Sequence, residues 1–302
     1  MSASRNIAET KQQWDKASAR YDDTVGQLST IFAHQLIEMT EAGPNVPLAK
    51  ANILELGAGT GNLAHQVLNK YPDVDFLATD VSQGMLDVLV SSTKPGTGSR
   101  LRTKVLDLNA VTSAAEFAAE SEAESALQPH SFTHVMSTFA FQRMSDPATR
   151  FKQYRSLLVH QPDSVFAVAI WDLTFGLPPK DLFDKAAALA TEGDTSLYDP
   201  AYSVLPPGAE MVNADQLRKH LEESGLWTNV QIRSTQSAAS LDHTVMIPFF
   251  FEEDGHPVGK TIGARYQGDK GALKAAIKTV IEKEYTSGLP SYAVLATANP
   301  KW

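Results

Sequence analysis

Apolar positions along this chain recur with two different periods, and the change from one to the other divides it. Leu28, Ile31, Phe32, Leu36 and Met39 follow a spacing close to that of a helix turn. They predict an amphipathic helix over 27–42, stopped by Gly43-Pro44. A polar helix is expected before it, over 5–20, ending near Tyr21-Asp22-Asp23. From residue 52 onward short apolar runs take over, at 52–56, 74–79, 102–106, 132–137 and 165–170. Helices are expected at 62–70, 82–90 and 146–158, with Ser82 as an N-cap and Pro147 at a first helical position. The run at 165–170 is apolar throughout, as a strand buried on both faces should be. Strands alternating with helices of this length imply right-handed βαβ units and a parallel sheet.

Two stretches interrupt the alternation. Residues 172–211 hold Pro178-Pro179, Pro200 and Pro206-Pro207 and read as an insertion over the carboxyl edge of the sheet, with a helix near 180–190. Residues 240–268 are a variable segment whose very apolar run, 246–251, has Pro248 inside it. That run fits a pocket wall, a dimer face or simple core. Between the interruptions, 213–225 is a helix with Asn at its start and Gly at its end, and a strand follows over 227–233. A helix over 270–286 and a strand over 291–298 close the pattern. Residues 111–129, rich in Ala, Glu and Ser, are an exposed helix or a loop.

Composition narrows the function classes. A net charge of −9 with no long basic run argues against a nucleic-acid partner. With no cysteine, disulfides, thiolate metal sites and a Cys nucleophile are excluded. No apolar stretch is long enough to span a bilayer and residues 1–14 have no apolar signal core, so a cytoplasmic protein without a membrane partner is expected. No H-x-x-x-H or H-E-x-x-H spacing occurs, and no metal is expected.

The chemistry concentrates where the first strand meets the first helix after it. Ile53-Leu54-Glu55-Leu56-Gly57-Ala58-Gly59-Thr60-Gly61 is an apolar strand running into a glycine-rich turn. Glycines let the backbone turn tightly and approach a ligand, and helix amides then face that ligand. The turn lacks the Gly-Lys-Ser/Thr of a phosphate-binding loop. Asp80 lies 19 residues past Gly61, at the end of the second strand, where an acid accepts hydrogen bonds from ribose hydroxyls or caps a helix. Asp107 ends the third strand in the same way.

The string Leu-Glu-Leu-Gly-Ala-Gly-Thr-Gly resembles motif I of the class I S-adenosylmethionine-dependent methyltransferases, with Glu55 at the acidic position before the turn. Thr79-Asp80-Val81-Ser82-Gln83-Gly84-Met85-Leu86 is similar to the family segment whose acid holds the ribose and whose Met region lines the adenine. Asp107-Leu108 matches the pair that reads the adenine. The stretch from His134 through Ser137, Thr138 and Phe139 to Gln142 resembles the motif IV region, except that His134 stands where Asp is common and reads better as a core histidine. The segment from Trp14-Asp15 to Tyr21-Asp22 is similar to one in ubiquinone-biosynthesis-type enzymes, where the Tyr contacts the cofactor.

The resemblance implies an α/β fold: a Rossmann-like, seven-stranded, mostly parallel sheet with helices on both faces and the last strand antiparallel. It implies a helical cap or lid over 1–50 and a methyltransferase domain over 51–302. The cofactor would be S-adenosyl-L-methionine, leaving as S-adenosyl-L-homocysteine. It would be held by Tyr21, Glu55, Gly57, Ala58, Gly59, Gly61, Asp80, Val81, Met85, Asp107, Leu108, Ser137, Thr138 and Phe139.

The expected activity is methyl transfer to an O, N or C atom of a small organic acceptor by a monomer or homodimer. The alternatives are a cyclisation or pericyclic step on the same fold, or a non-catalytic regulatory subunit. The sulfonium already activates the methyl group, so orientation is the main demand on the protein, with a base needed for a hydroxyl acceptor. His243 and His34 are the candidate bases, and Trp171, Phe175, Tyr202 and Phe250 the candidate acceptor contacts.

Overall fold

In the computed structural model the residues described are 7–107, 127, 129–141, 146–202 and 211–302. The stretch 111–129 (apart from 127 and 129) and Pro206-Pro207 lie outside them. The chain divides into two compact units. A sheet unit comprises Ser29–Asp172, Ala209–Thr235 and Ala293–Trp302, and a helical unit comprises Met1–Leu28, Leu173–Gly208 and Gln236–Tyr292.

Seven strands form one sheet: β1 (Asn52–Leu56), β2 (Asp75–Asp80), β3 (Leu101–Val105), β4 (His134–Thr138), β5 (Val165–Trp171), β6 (Trp227–Ala239) and β7 (Leu289–Pro300). Their order is β3-β2-β1-β4-β5-β7-β6. β1 pairs in parallel with β2 and β4, β2 with β3, and β4 with β5, while β7 runs antiparallel to β5. This is the sheet that the resemblance implies.

The order reverses between β1 and β4. In an open parallel sheet, connections from neighbouring strands at such a point leave in opposite directions, opening a crevice beyond the strand carboxyl ends. β1, β4 and β5 are buried almost throughout, which explains their unbroken apolar reading.

The helices of this unit start where the sequence signals place them. α3 (Asn62–Lys70) buries Leu63, Ala64, Val67 and Leu68; it follows α1 (Ile7–Ala17) and α2 (Gln27–Ala42) in the chain. α4 (Gln83–Ser92) is capped by Ser82, whose Oγ accepts the Met85 amide at 3.0 Å. Asp146 caps α5 (Pro147–Leu157) through the Thr149 amide, and Asn213 caps α7 (Ala214–Glu223) through the Gln216 amide. One core cluster stacks Phe151 on Phe141 and Phe166 on Trp227, each pair with ring centroids 5.2 Å apart.

The helical unit holds α1, α6 (Pro178–Ala190), α8 (His243–Phe251), α9 (Pro257–Gly263) and α10 (Lys270–Glu284). α6 packs on α10, and Phe183 meets Phe250 at 4.8 Å and Tyr198 at 5.4 Å. The apolar run around Pro248 is helix α8. Asp242 caps it by accepting the Thr244 and Val245 amides at 2.7 and 3.3 Å, and Met246, Phe249 and Phe250 are buried. A Cβ on Gly259 would stand 2.2 Å from the Phe249 carbonyl oxygen, so glycine there lets α9 lie directly on α8. Among the described residues no helix is long and apolar enough to cross a membrane.

His134 is a core histidine, with 0% exposure on β4. The Thr133 hydroxyl donates to the Asn52 carbonyl at 3.2 Å, so His134 Nδ1–H donates to Thr133 Oγ1 at 2.9 Å. Its Nε2 is left buried without a partner, and burial lowers its pKa to about 4. Above the unfolded value of about 6.5, neither folded nor unfolded chain carries this proton. As pH falls below that value the unfolded chain takes it up first, so stability is lost down to about pH 4. Urea unfolding of the wild type and of His134→Asn at about pH 7.5 and 5 checks this. The wild type is expected to lose about 2 kcal/mol more than the variant between the two; equal losses would reject the assignment.

Candidate functional site

The glycine turn joins β1 to α3 at the point where the strand order reverses. Gly57 has φ +71° and Gly59 φ +55°, a region that L side chains adopt only with strain. A Cβ on Gly57 would also stand 2.2 Å from the Ala140 Cβ, whereas one on Gly59 would meet nothing within 4 Å. Gly57 is therefore required by the fold, while Gly59 borders open space. Gly61 is the N-cap residue of α3, and its amide donates to Ala58 at 3.0 Å.

Asp80 binds this turn to the next strand and helix. Its Oδ2 accepts the Gly59 amide and its Oδ1 the Ser82 amide, both at 2.9 Å. The helix cap is thus Ser82, and Asp80 is the tie between two turns. Three further bonds complete the frame. The Ala58 amide donates to the Thr79 carbonyl at 2.8 Å, Thr79 Oγ1 to the Glu55 carbonyl at 2.9 Å, and Ser137 Oγ to the Leu56 carbonyl at 2.8 Å. Val81 is half-buried, and the Met85 side chain is buried. Asp107 is half-buried just past β3, after the Leu106 amide has bonded the Asp80 carbonyl at 2.8 Å. Leu108 lies outside the described residues.

Glu55 has 0% exposure, and neither carboxyl oxygen has a hydrogen-bond partner. Burial pushes its carboxyl well above the usual carboxylate range. The Asp80 charge pushes the same way, and the Ala64 amide works against both. Such a group is costly unless something compensates it.

At the ends of β4 and β5 three aromatic rings meet. Phe139 stacks on Trp171 with centroids 3.9 Å apart, and Phe32 of α2 sets its edge against both at 5.9 Å. Phe139 sits at φ +60°, an uncommon conformation for an aromatic residue, with its amide bonded to the Ala169 carbonyl at 2.8 Å. Thr138 beside it is half-buried.

The remaining candidates have other surroundings. His34 projects from α2 with a 64% exposed side chain, 3.5 Å from Glu38. His243 opens α8 and is half-buried. Within the helical unit, Tyr21 is close to Trp14 and His256, each 6.1 Å away. Phe175 is 67% exposed and touches Tyr292, Tyr202 lies between the Lys180 and Arg265 cations, and Phe250 is buried against Phe183. Phe32 and Asp172 escaped sequence reasoning. Phe32 reads only as part of a helix's apolar stripe. Asp172, 7% exposed at the end of β5, carries the signal that marks Asp80, an acid closing a buried strand.

Residues 54–161, about a third of the chain, match a family model described as a methyltransferase domain. Among solved structures, phosphoethanolamine N-methyltransferase 2 of Haemonchus contortus is 16% identical, with a TM-score of 0.48. The match covers 89% of this chain and 53% of that one, so this chain spans about half its length. The [4+2]-cyclase SpnF is 15% identical over 89% of this chain and 82% of its own, with a TM-score of 0.46. The YcgJ protein of Bacillus subtilis is 14% identical over 89% and 99%, with a TM-score of 0.46. No curated protein sequence matches the chain. The matched segment carries the glycine turn, Asp80, Asp107 and the β4 segment, so it is over residues 54–161 that this chain is similar to the methyltransferase-domain family.

Proposed function

We propose that the sheet unit binds S-adenosylmethionine at the glycine turn and that the chain transfers its methyl group to an O, N or C atom of a small organic acceptor. The observation that carries this reading is the turn itself, with Gly59 facing open space and its amide held by Asp80. Asp80 is an acid fixed by two backbone amides beside the turn, and a carboxylate there suits ribose hydroxyls as hydrogen-bond donors. The uncompensated Glu55 carboxyl suits the cationic amino-acid end of the same molecule. Asp107 and Met85 are assigned to the adenine side.

When bound, the cofactor supplies a methyl group already activated by its sulfonium. The chain's part is to position the acceptor and keep water away. We assign the acceptor-side wall to the aromatic group of Phe139, Trp171 and Phe32. This wall is apolar, as small-molecule pockets mostly are. The candidate bases keep that status in this reading, since an amine or an ionised acceptor needs none.

Calorimetric titration with S-adenosylmethionine, S-adenosylhomocysteine and NAD tests the cofactor. Both sulfur compounds are expected to bind and NAD is not, with Asp80→Asn weakening binding at least about tenfold. A chain that binds neither sulfur compound would overturn the reading. Once binding is established, a mass gain of one methyl group in a screened acceptor separates methyl transfer from a cyclisation.

Alanine at two glycines separates fold from site. Gly59→Ala is expected to cost only the about 1–2 kcal/mol of its positive φ and to fold, yet to lose affinity, because the new methyl group enters the space assigned to the ligand. Gly57→Ala adds a clash to the same strain and is expected to lower the melting temperature much further. Wild-type affinity in Gly59→Ala would place the ligand elsewhere.

Glu55 gives a proton readout. Its carboxyl is pushed up in the free chain, so a bound cation should ionise it. At about pH 6, binding of S-adenosylmethionine is expected to release a proton, seen as a dependence of the binding heat on buffer ionisation enthalpy. Glu55→Gln should abolish that dependence. A release unchanged in the variant would assign the proton to another group.

A further inference from the structure

Within the sheet unit, before β4 and between α5 and β5, His130 and His160 meet although 30 residues separate them in sequence. Their Nε2 atoms are 3.2 Å apart and their ring planes cross at 80°. His130 Nδ1 lies 3.1 Å from the Leu158 carbonyl oxygen. A carbonyl only accepts, so Nδ1 carries the proton, and the neutral ring presents a bare lone pair at Nε2.

His130 is held in this pose by its backbone as well. It has φ +57°, and its amide donates to the Ser156 carbonyl at 2.9 Å. The His160 ring lies against Trp302, with centroids 4.0 Å apart. Trp302 Nε1 donates to the Gln161 carbonyl at 3.2 Å, and Arg155 covers the indole at 4.5 Å. Both imidazoles are thus oriented by groups other than each other.

We propose that His130 and His160 form the two-nitrogen core of a site for one divalent transition-metal ion of the zinc, nickel or copper class. Two imidazole nitrogens about 2.0–2.1 Å from one ion, at an angle between octahedral and tetrahedral, stand about 2.9–3.4 Å apart. The observed nitrogen separation falls inside that window, and turning both rings to face one ion opens their centroids from 3.9 Å to about 5 Å. Imidazole suits these ions, and hard ions such as magnesium prefer oxygen. A metal-bound histidine commonly donates its other ring N–H to a carbonyl, which is what His130 does with Leu158.

Protons balance without an outside group. In the free chain His160 Nε2–H donates to His130 Nε2. On binding, His160 moves to its Nδ1–H tautomer, and both Nε2 lone pairs turn to the ion. The Arg155 cation opposes a dication, which keeps the affinity modest. Among the described residues no three His, Asp or Glu side chains converge, so water fills the remaining positions. Both rings are exposed and leave room for it. Spacing rules for metal motifs miss such a pair, because the fold and not the local sequence brings it together.

Untagged full-length chain, freed of metal, is titrated by calorimetry with nickel chloride, zinc chloride and magnesium chloride, alongside His130→Asn and His160→Asn. Asparagine tolerates the positive φ at 130, and position 160 is exposed, so both variants are expected to fold. The wild type should take up one nickel or zinc ion and no magnesium, and each variant should bind at least about tenfold more weakly. Nickel should raise the melting temperature of the wild type and not that of the variants. Binding undiminished in the variants would place the ion on other histidines, and no binding by the wild type would remove the site; either result overturns the proposal.

Discussion

The site rests on one carboxylate. Asp80 spends one oxygen on the amide of Gly59 and the other on that of Ser82. A charge-assisted bond to a backbone amide is about twice as strong as a neutral one. Here two such bonds leave the same residue for consecutive elements, so the end of β2, the glycine turn and the start of α4 cannot move independently. The turn gains further definition from Thr79 and Ser137, whose hydroxyls hold carbonyls of β1 on either side of the strand order's reversal. A ligand in this crevice therefore meets a rim set before it arrives, and preorganisation of that kind reduces the ordering cost of binding.

The same carboxylate makes its neighbour awkward. Glu55 lies in the strand beside Asp80, fully buried, and the Asp80 charge adds to the burial that pushes its carboxyl upward. Two acids this close do not both ionise easily without a cation. A stable core would place an apolar residue at position 55, since Leu54 and Leu56 on either side are fully buried. The acid costs stability in the free chain, and groups that break a local rule in this way concentrate at functional sites.

What the sequence reveals follows from how local each determinant is. The glycine turn, Asp80 and the Ser82 cap are set by a few consecutive residues, and the caps at Asp146 and Asn213 act over three. All of these are legible. Helix α8 is not legible, because a helix apolar on every side shows no period and Pro248 argues against one; what defines it is Asp242 at the cap and the packing of Phe249 and Phe250. The helical unit is harder still, since it is assembled from three separated stretches of chain. Phe32 belongs with Phe139 and Trp171 only once α2 is laid beside the ends of β4 and β5. No pattern within any one of these segments encodes that meeting.

Two buried titratable groups in adjacent, paired strands show how core and site can be told apart by hydrogen bonding alone. His134 on β4 and Glu55 on β1 are equally inaccessible, and burial disfavours the charged form of each. His134 answers by staying neutral. One nitrogen donates to Thr133, whose hydroxyl in turn serves Asn52, and only a bare lone pair is left without a partner. An unused acceptor on a neutral ring costs little, and nothing about it asks for a ligand. Glu55 has no such answer: the Ala64 amide offsets its burial only weakly, no full hydrogen bond reaches either oxygen, and neutralising it still leaves a buried hydroxyl unbonded. A group in that state is out of place in a core and in place beside a cation. The same degree of burial thus means packing on one strand and, in the proposed reading, recognition on the next, and what separates them is whether the polar atoms are already served.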